Sequence, residues 1–197
     1  MNNFFTFSEI ATNDFPLLKL SKEIPDKELS ISTLDQPVVK EINVLRKLSR
    51  CPIDGNNGHW EGERGDSKWV PESETIPKSV LTNPNGLSWS EIMEKYDIDG
   101  VDFKDGNPDF SEVSKGEVKI DDFSESRDSN FSQADEKLAE TKECTPEEVA
   151  SWRKDNGYTW HECKDCQTMQ KVPTEVHGNI PHSGGISEIK LISNQNL

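Results

Sequence analysis

Three of the four histidines of this 197-residue chain fall within one short stretch, His161, His177 and His182. They sit in the pattern Tyr158-Thr-Trp-His-Glu162, Thr168-Met-Gln-Lys-Val-Pro173, then His177, then Pro181-His-Ser-Gly-Gly185. A single histidine is more often structural than a ligand. Three clustered ones, interleaved with turn residues, point to a shared cation, because neutral imidazole is the commonest metal ligand. The local pattern supports this. Thr159–His161 and Thr168–Val172 read as two short strands joined by the Cys163–Gln167 loop. Pro173 and Thr174 open a helical turn carrying His177, with His182 one turn further on. Strand, loop, strand and helix make a compact frame for an ion with open coordination positions, which is what metal-assisted hydrolysis requires alongside a base.

The rest of the chain bounds what surrounds that frame. Hydrophobic residues make up 31% and charged residues 30%, polar for a globular protein but enough for a small core. The apolar residues come in short clusters, so the expected fold is a small, irregular α+β domain with much loop. Residues 1–50 read as an N-terminal arm or linker, with a possible helix over Gln36–Leu48, and residues 51–197 as the domain. Gly58, Gly62 and Gly65 punctuate a segment expected to be an irregular loop. Ser88-Trp-Ser-Glu91 is a capping box opening a helix to about Tyr96, and Thr145-Pro-Glu-Glu148 is another, closed by Gly157. Ser132–Lys142 reads as a helix between them. Val101–Phe103 and Val118–Ile120 read as strands around the Asp105–Pro108 turn. Trp160, Thr159, Met169 and Pro173 are assigned to packing, and Ser183-Gly-Gly185 to a sharp turn after His182.

The formal net charge is −15, and it is concentrated: residues 51–150 carry 25 acids and 10 bases, whereas the stretches on either side are balanced. Proteins that track a phosphate backbone usually show a basic stripe, and none is visible here. The acidic middle is expected to face a protein partner instead. No apolar run approaches the roughly 20 residues that span a bilayer, so no membrane partner is expected. The first fifteen residues lack the basic and apolar regions of a signal peptide. The expectation is a soluble chain that, if it leaves its cell, is carried by another domain, subunit or machine.

Thr159-Trp-His-Glu162, Thr168-Met-Gln-x-Val-Pro173, His177 and His182-Ser-Gly-Gly185 together resemble the HNH/Endo VII nuclease toxins of bacterial polymorphic toxin systems. The likeness is closest to the subgroup named for a Trp-His-His motif and to the nuclease domains of colicin-like bacteriocins. It extends from about Cys51 to Ile189, through Gly58–Ser67 and Asn130-Phe-Ser-Gln-Ala-Asp135, and is dense only after Tyr158. The resemblance implies a C-terminal ββα-metal, treble-clef-like finger at about 158–185. It implies an endonuclease acting on phosphodiester bonds, of DNA rather than RNA, that serves as a toxin effector with a cognate immunity protein. It also implies a divalent metal (Zn, Mg, Mn or Ni) held by His161, His177 and His182. The general base of the family pattern is a second histidine after the first; here that position is Glu162. Adjacent strand residues face opposite sides. Either Glu162 is the base with a raised pKa, which is the preferred reading, or His161 is the base and Glu162 a ligand. Arg64 is a candidate phosphate clamp, with an ion pair to a neighbouring acid as its plainer role.

A different reading takes Cys163, Cys166, His177 and His182 as a structural Cys₂His₂ zinc module in a protein-interaction domain. Its spacer is short, Gly178 and Pro181 interrupt the helix, and His161 is left without a role. A redox role for the CxxC lacks a surrounding βαβ unit.

Overall fold

A computed structural model describes residues 48–195, all within the unit Asn43–Leu197. The expected Gln36–Leu48 helix lies outside the described residues, apart from Leu48. The architecture is α+β. Strands β1 (Gly58–Trp60), β2 (Lys68–Pro71), β3 (Val101–Lys104) and β4 (Asn107–Pro108) form an antiparallel sheet in that order. Helix α1 (Trp89–Tyr96) lies between β2 and β3 in sequence. A second antiparallel sheet has β7 (Thr168–Pro173) at its centre, flanked by β5 (Glu117–Lys119) and β6 (Tyr158–Glu162). Helices α2 (Arg127–Lys142) and α3 (Pro146–Asp155) lie between β5 and β6 in sequence. The one-turn helix α4 (Thr174–His177) and α5 (Gly185–Gln195) follow β7.

Helix starts follow the capping chemistry. Both capping boxes form, Ser88 with Glu91 and Thr145 with Glu148, and Gly157 turns the chain after α3 at φ +70°. The middle helix begins five residues earlier than expected. Ser126 caps it by accepting from the Ser129 amide, and Asn130, Ala134 and Leu138 then share its buried face. Two strand expectations change. Val118 belongs to β5 and pairs with Met169, not with the Val101–Phe103 strand; that strand turns back through Asp105 and Gly106 to pair with Asn107–Pro108 instead. The glycine-rich segment is part strand, since Gly58–Trp60 pairs with Trp69–Pro71.

Two apolar clusters result. The first gathers Trp60, Trp69, Trp89, Ile92, Phe103 and Phe110 with Val172, Val176 and Ile180. The second gathers Val118, Ile120, Ala134, Leu138, Trp160 and Met169. Strand β6 runs between them. Trp160 is 1% exposed and faces α2, where its indole Nε1 donates to Asp135 Oδ1 at 2.8 Å. Asp135 also takes a two-pronged contact from Arg153 of α3, at 3.2 Å from Nε and 2.8 Å from Nη2. One buried carboxylate thus ties α2, α3 and β6 together. Removing it strands a buried guanidinium and an indole N–H, and breaking a buried pair from one side costs about 3–5 kcal/mol. Asp135→Ala is expected to lose stability of that order in urea titration, whereas Lys137→Ala, which breaks only the exposed pair with Asp121, is expected to lose under about 1 kcal/mol.

Candidate metal centre

The alternation of β6 that turns Trp160 towards α2 turns His161 to the opposite side. There, paired with Gln170 of β7, it reaches the first apolar cluster and is 3% exposed. Helix α4 is a single turn because Pro173 starts it and Gly178 ends it, and His177 is its last residue. A Cβ on Gly178 would lie 2.3 Å from Thr82 Cγ2, so only glycine lets the turn sit this close. His182 follows in the irregular segment before α5, not on a continuing helix.

The three rings converge. His161 Nδ1 lies 3.1 Å from His177 Nε2, and His182 Nε2 lies 3.2 Å from the same atom. One nitrogen from each falls within 4.8 Å of the others, and no other such group occurs among the described residues. His182 Nδ1 donates to the Ile180 carbonyl at 2.8 Å. A carbonyl can only accept, so Nε2 carries a lone pair directed at the other two rings, the usual arrangement of an oriented ligand. Bonds of about 2.0–2.1 Å to a tetrahedral ion place ligand nitrogens about 3.4 Å apart, close to the two spacings that His177 Nε2 makes with its neighbours. The residues therefore fit a divalent cation with a remaining open position.

Phe110 forms the floor. Its ring centroid lies 5.0, 5.5 and 5.4 Å from those of His161, His177 and His182. Burial of this kind disfavours the imidazolium. It pushes His161 down to about 3 and His177 well below its ordinary value, with the neighbouring histidines and Arg127 adding to the effect. His182 is also lowered, by burial first, although the Ile180 carbonyl opposes the shift. All three stay neutral at physiological pH and are ready to ligate.

The other candidates fall elsewhere. Glu162 lies on the α2 face of β6 with its side chain 3% exposed. Its Oε2 accepts from Arg127 Nε at 3.1 Å and its Oε1 from Asn130 Nδ2 at 2.9 Å. It is not one of the converging ligands, and the general-base expectation meets a carboxylate buried and paired through both oxygens. The strand does not end before it, so the alternation holds and separates it from the imidazoles. Arg64 lies apart from the three histidines in sequence and holds a loop. Its Nε donates to the Pro52 carbonyl and its Nη2 to those of Leu48 and Cys51, so it clasps a loop; among the described residues it has no acidic partner either. The four-ligand module with Cys163 and Cys166 does not assemble. Neither sulfur joins the converging imidazoles; Cys166 Sγ lies against the carbonyls of Lys164 and Gly185, and burial pushes the Cys163 thiol up to about 12.

Arg127 and Phe110 escaped the sequence reading. Arg127 lies one helical turn before Asn130 and shares its face, a spacing visible once the helix is started at Ser126 rather than Ser132. Phe110 follows the Asp105–Pro108 turn with nothing local to mark it.

Residues 99–184 match the DNase/tRNase domain of colicin-like bacteriocins. This colicin-type match begins just before β3 and takes in Phe110, Arg127, Glu162 and all three converging histidines. It agrees with the resemblance seen in the sequence, and it leaves out the Gly58–Ser67 segment and Arg64. No curated protein matches the chain. Among the described residues no helix is long and apolar enough to cross a membrane.

The neutral histidines make stability depend on pH. Above their unfolded value of about 6.5 the three groups bind no proton in either state, and their neutral burial costs nothing further. As pH falls below it, the unfolded chain takes up protons that the folded chain refuses, so stability declines by up to about 1.4 kcal/mol per pH unit for each histidine. Urea titrations in EDTA between pH 7.5 and 5 are expected to show this decline. His161→Ala is expected to flatten it, and an unchanged slope in that variant would contradict the assignment.

Proposed function

We propose that the chain is a metal-dependent HNH-type endonuclease, a toxin effector that hydrolyses phosphodiester bonds, of DNA in preference to RNA. The observation that carries this reading is the convergence of His161, His177 and His182 on one point inside a segment that matches colicin-type nuclease domains. The β6–loop–β7–α4 arrangement supports it, as the parts of a ββα-metal finger in sequence order. A bound divalent cation would polarise the phosphate and lower the pKa of water there.

The protein's own share is preorganisation. Burial keeps the three imidazoles deprotonated, the Ile180 carbonyl fixes the tautomer of His182, and Phe110 shields the rings from water. Because Glu162 is turned towards Arg127 and Asn130, the reading assigns it to support of the site and not to proton abstraction. His161 is committed as a ligand, so the attacking water loses its proton to bulk solvent or to the substrate phosphate.

His161→Ala and His177→Ala are each expected to abolish plasmid cleavage, as is EDTA, with circular dichroism unchanged for His177→Ala. The Cys163→Ser/Cys166→Ser double variant is expected to cleave as the parent does. Full activity in either histidine variant, assayed with Mg, Mn, Ni and Zn in turn, would reject the metal centre. Zinc loss with unfolding in the double cysteine variant would favour the structural module. Parallel digestion of plasmid and total tRNA reads the substrate preference.

A cell that makes such a nuclease needs protection, and the reading includes a cognate immunity protein that docks on the acidic surface. Glu117, Asp121, Asp122 and Glu125 are exposed there. Like charge repels DNA from this surface while steering a basic partner towards it. Reversing Asp121 and Asp122 is expected to slow association with that partner by about tenfold at low salt and to leave plasmid cleavage intact. An association rate unchanged across a salt series would reject this docking surface.

A further inference from the structure

The metal centre sits in a strongly acidic chain, and a nuclease must still attract a phosphate to it. Arg127 addresses this. It is the first residue of α2, where the helix macrodipole is already positive and a cation is locally unfavourable. Its side chain is nevertheless 63% exposed and held in one orientation from beneath. Glu162 Oε2 receives its Nε, and Glu162 is itself fixed through Oε1 by Asn130. Asn130 is fully buried and locked to the Ser124 backbone, donating to its carbonyl at 2.8 Å and accepting from its amide at 2.9 Å.

Burying a carboxylate and an amide costs free energy unless both are paired. Here that cost supports a guanidinium that is mostly in solvent. Neither Nη of Arg127 makes a hydrogen bond among the described residues, so the outer edge of the fork is free. The strand links Arg127 to the metal centre, because Glu162, which holds its Nε, directly follows His161 in β6; in keeping with this, its positive charge is among the smaller causes that lower the three histidines.

We propose that Arg127 is the phosphate-contacting residue of this site, with Glu162 and Asn130 as its positioning residues. The free Nη edge takes the non-bridging oxygens of a phosphodiester whose scissile bond lies over the histidines. A guanidinium suits this role because its fork matches two phosphate oxygens and remains charged at any working pH. Held in place beforehand, it stabilises the charge that develops on those oxygens without reorganising. Glu162, occupying the family's general-base position, acts here through Arg127.

The inference rests on the nuclease reading, and binding separates the two. The full chain is titrated in EDTA with a fluorescent duplex DNA oligonucleotide over a salt series, so that no cleavage occurs. Arg127→Gln is expected to weaken binding by about tenfold or more and to lower the slope of log K against log salt by about 1. Arg127→Lys is expected to keep the slope, since the charge remains, but to lower kcat because the fork is lost. Glu162→Gln, which releases the guanidinium without removing it, is expected to lower kcat more than it raises KM. Arg127→Gln is expected to retain zinc binding, since Arg127 is hydrogen-bonded to none of the three imidazoles, and circular dichroism checks that the variant stays folded with Glu162 held by Asn130. Equal affinity and slope for Arg127→Gln and the parent, or no oligonucleotide binding by the parent, would overturn the proposal. Absence of cleavage by the parent with every metal tried would instead overturn the nuclease reading, while the EDTA titration would still decide the role of Arg127.

Discussion

Asp135 is the point on which the arrangement turns. Its carboxylate, nearly inaccessible, receives the guanidinium of Arg153 and the indole N–H of Trp160. Three consecutive elements, α2, α3 and β6, are thereby fixed at one atom group, and β6 cannot rotate about its axis without breaking the contact. Because strand side chains alternate, fixing Trp160 on one face fixes His161 on the other. The orientation of the first histidine is therefore set by an ion pair on the far side of the strand.

The same alternation divides the chemistry of the strand end. His161 enters an apolar pocket that holds it neutral, while Glu162 enters a polar one where Arg127 and Asn130 each donate to one of its oxygens. Neighbours in sequence thus occupy environments of opposite character, and each is buried because the sheet is covered on both sides. The overall negative charge of the chain is compatible with this, since the histidine pocket and the α2 start carry their own local field.

Much of the tail was legible because its signals are local. The β6–β7 hairpin, the turn at Pro173 and both capping boxes follow from residues within a few positions of one another. The convergence of His161, His177 and His182 was legible from their number and spacing. What was not legible depends on distant partners. Arg64 looked free in sequence, but its donors are taken by carbonyls of the 48–52 segment. Val118 had the composition of a hairpin strand, but pairs with Met169 fifty-one residues later. Glu162 had the position of a base, and only the packing of α2 against β6 shows what its oxygens meet. Phe110 carries no motif, and its role exists only once the two apolar clusters are assembled.

Phe110 comes from the chain leaving the first sheet, whereas the three imidazoles above it come from the strand, turn and coil at the end of the second. The pocket is thus a joint between two subassemblies and belongs wholly to neither. A fragment cut to the finger alone would keep every nitrogen and lose the surface that keeps water and protons from them. Conversely, anything that slid one sheet over the other by an ångström would be registered at the rings, which makes the site a strain gauge for the domain that carries it.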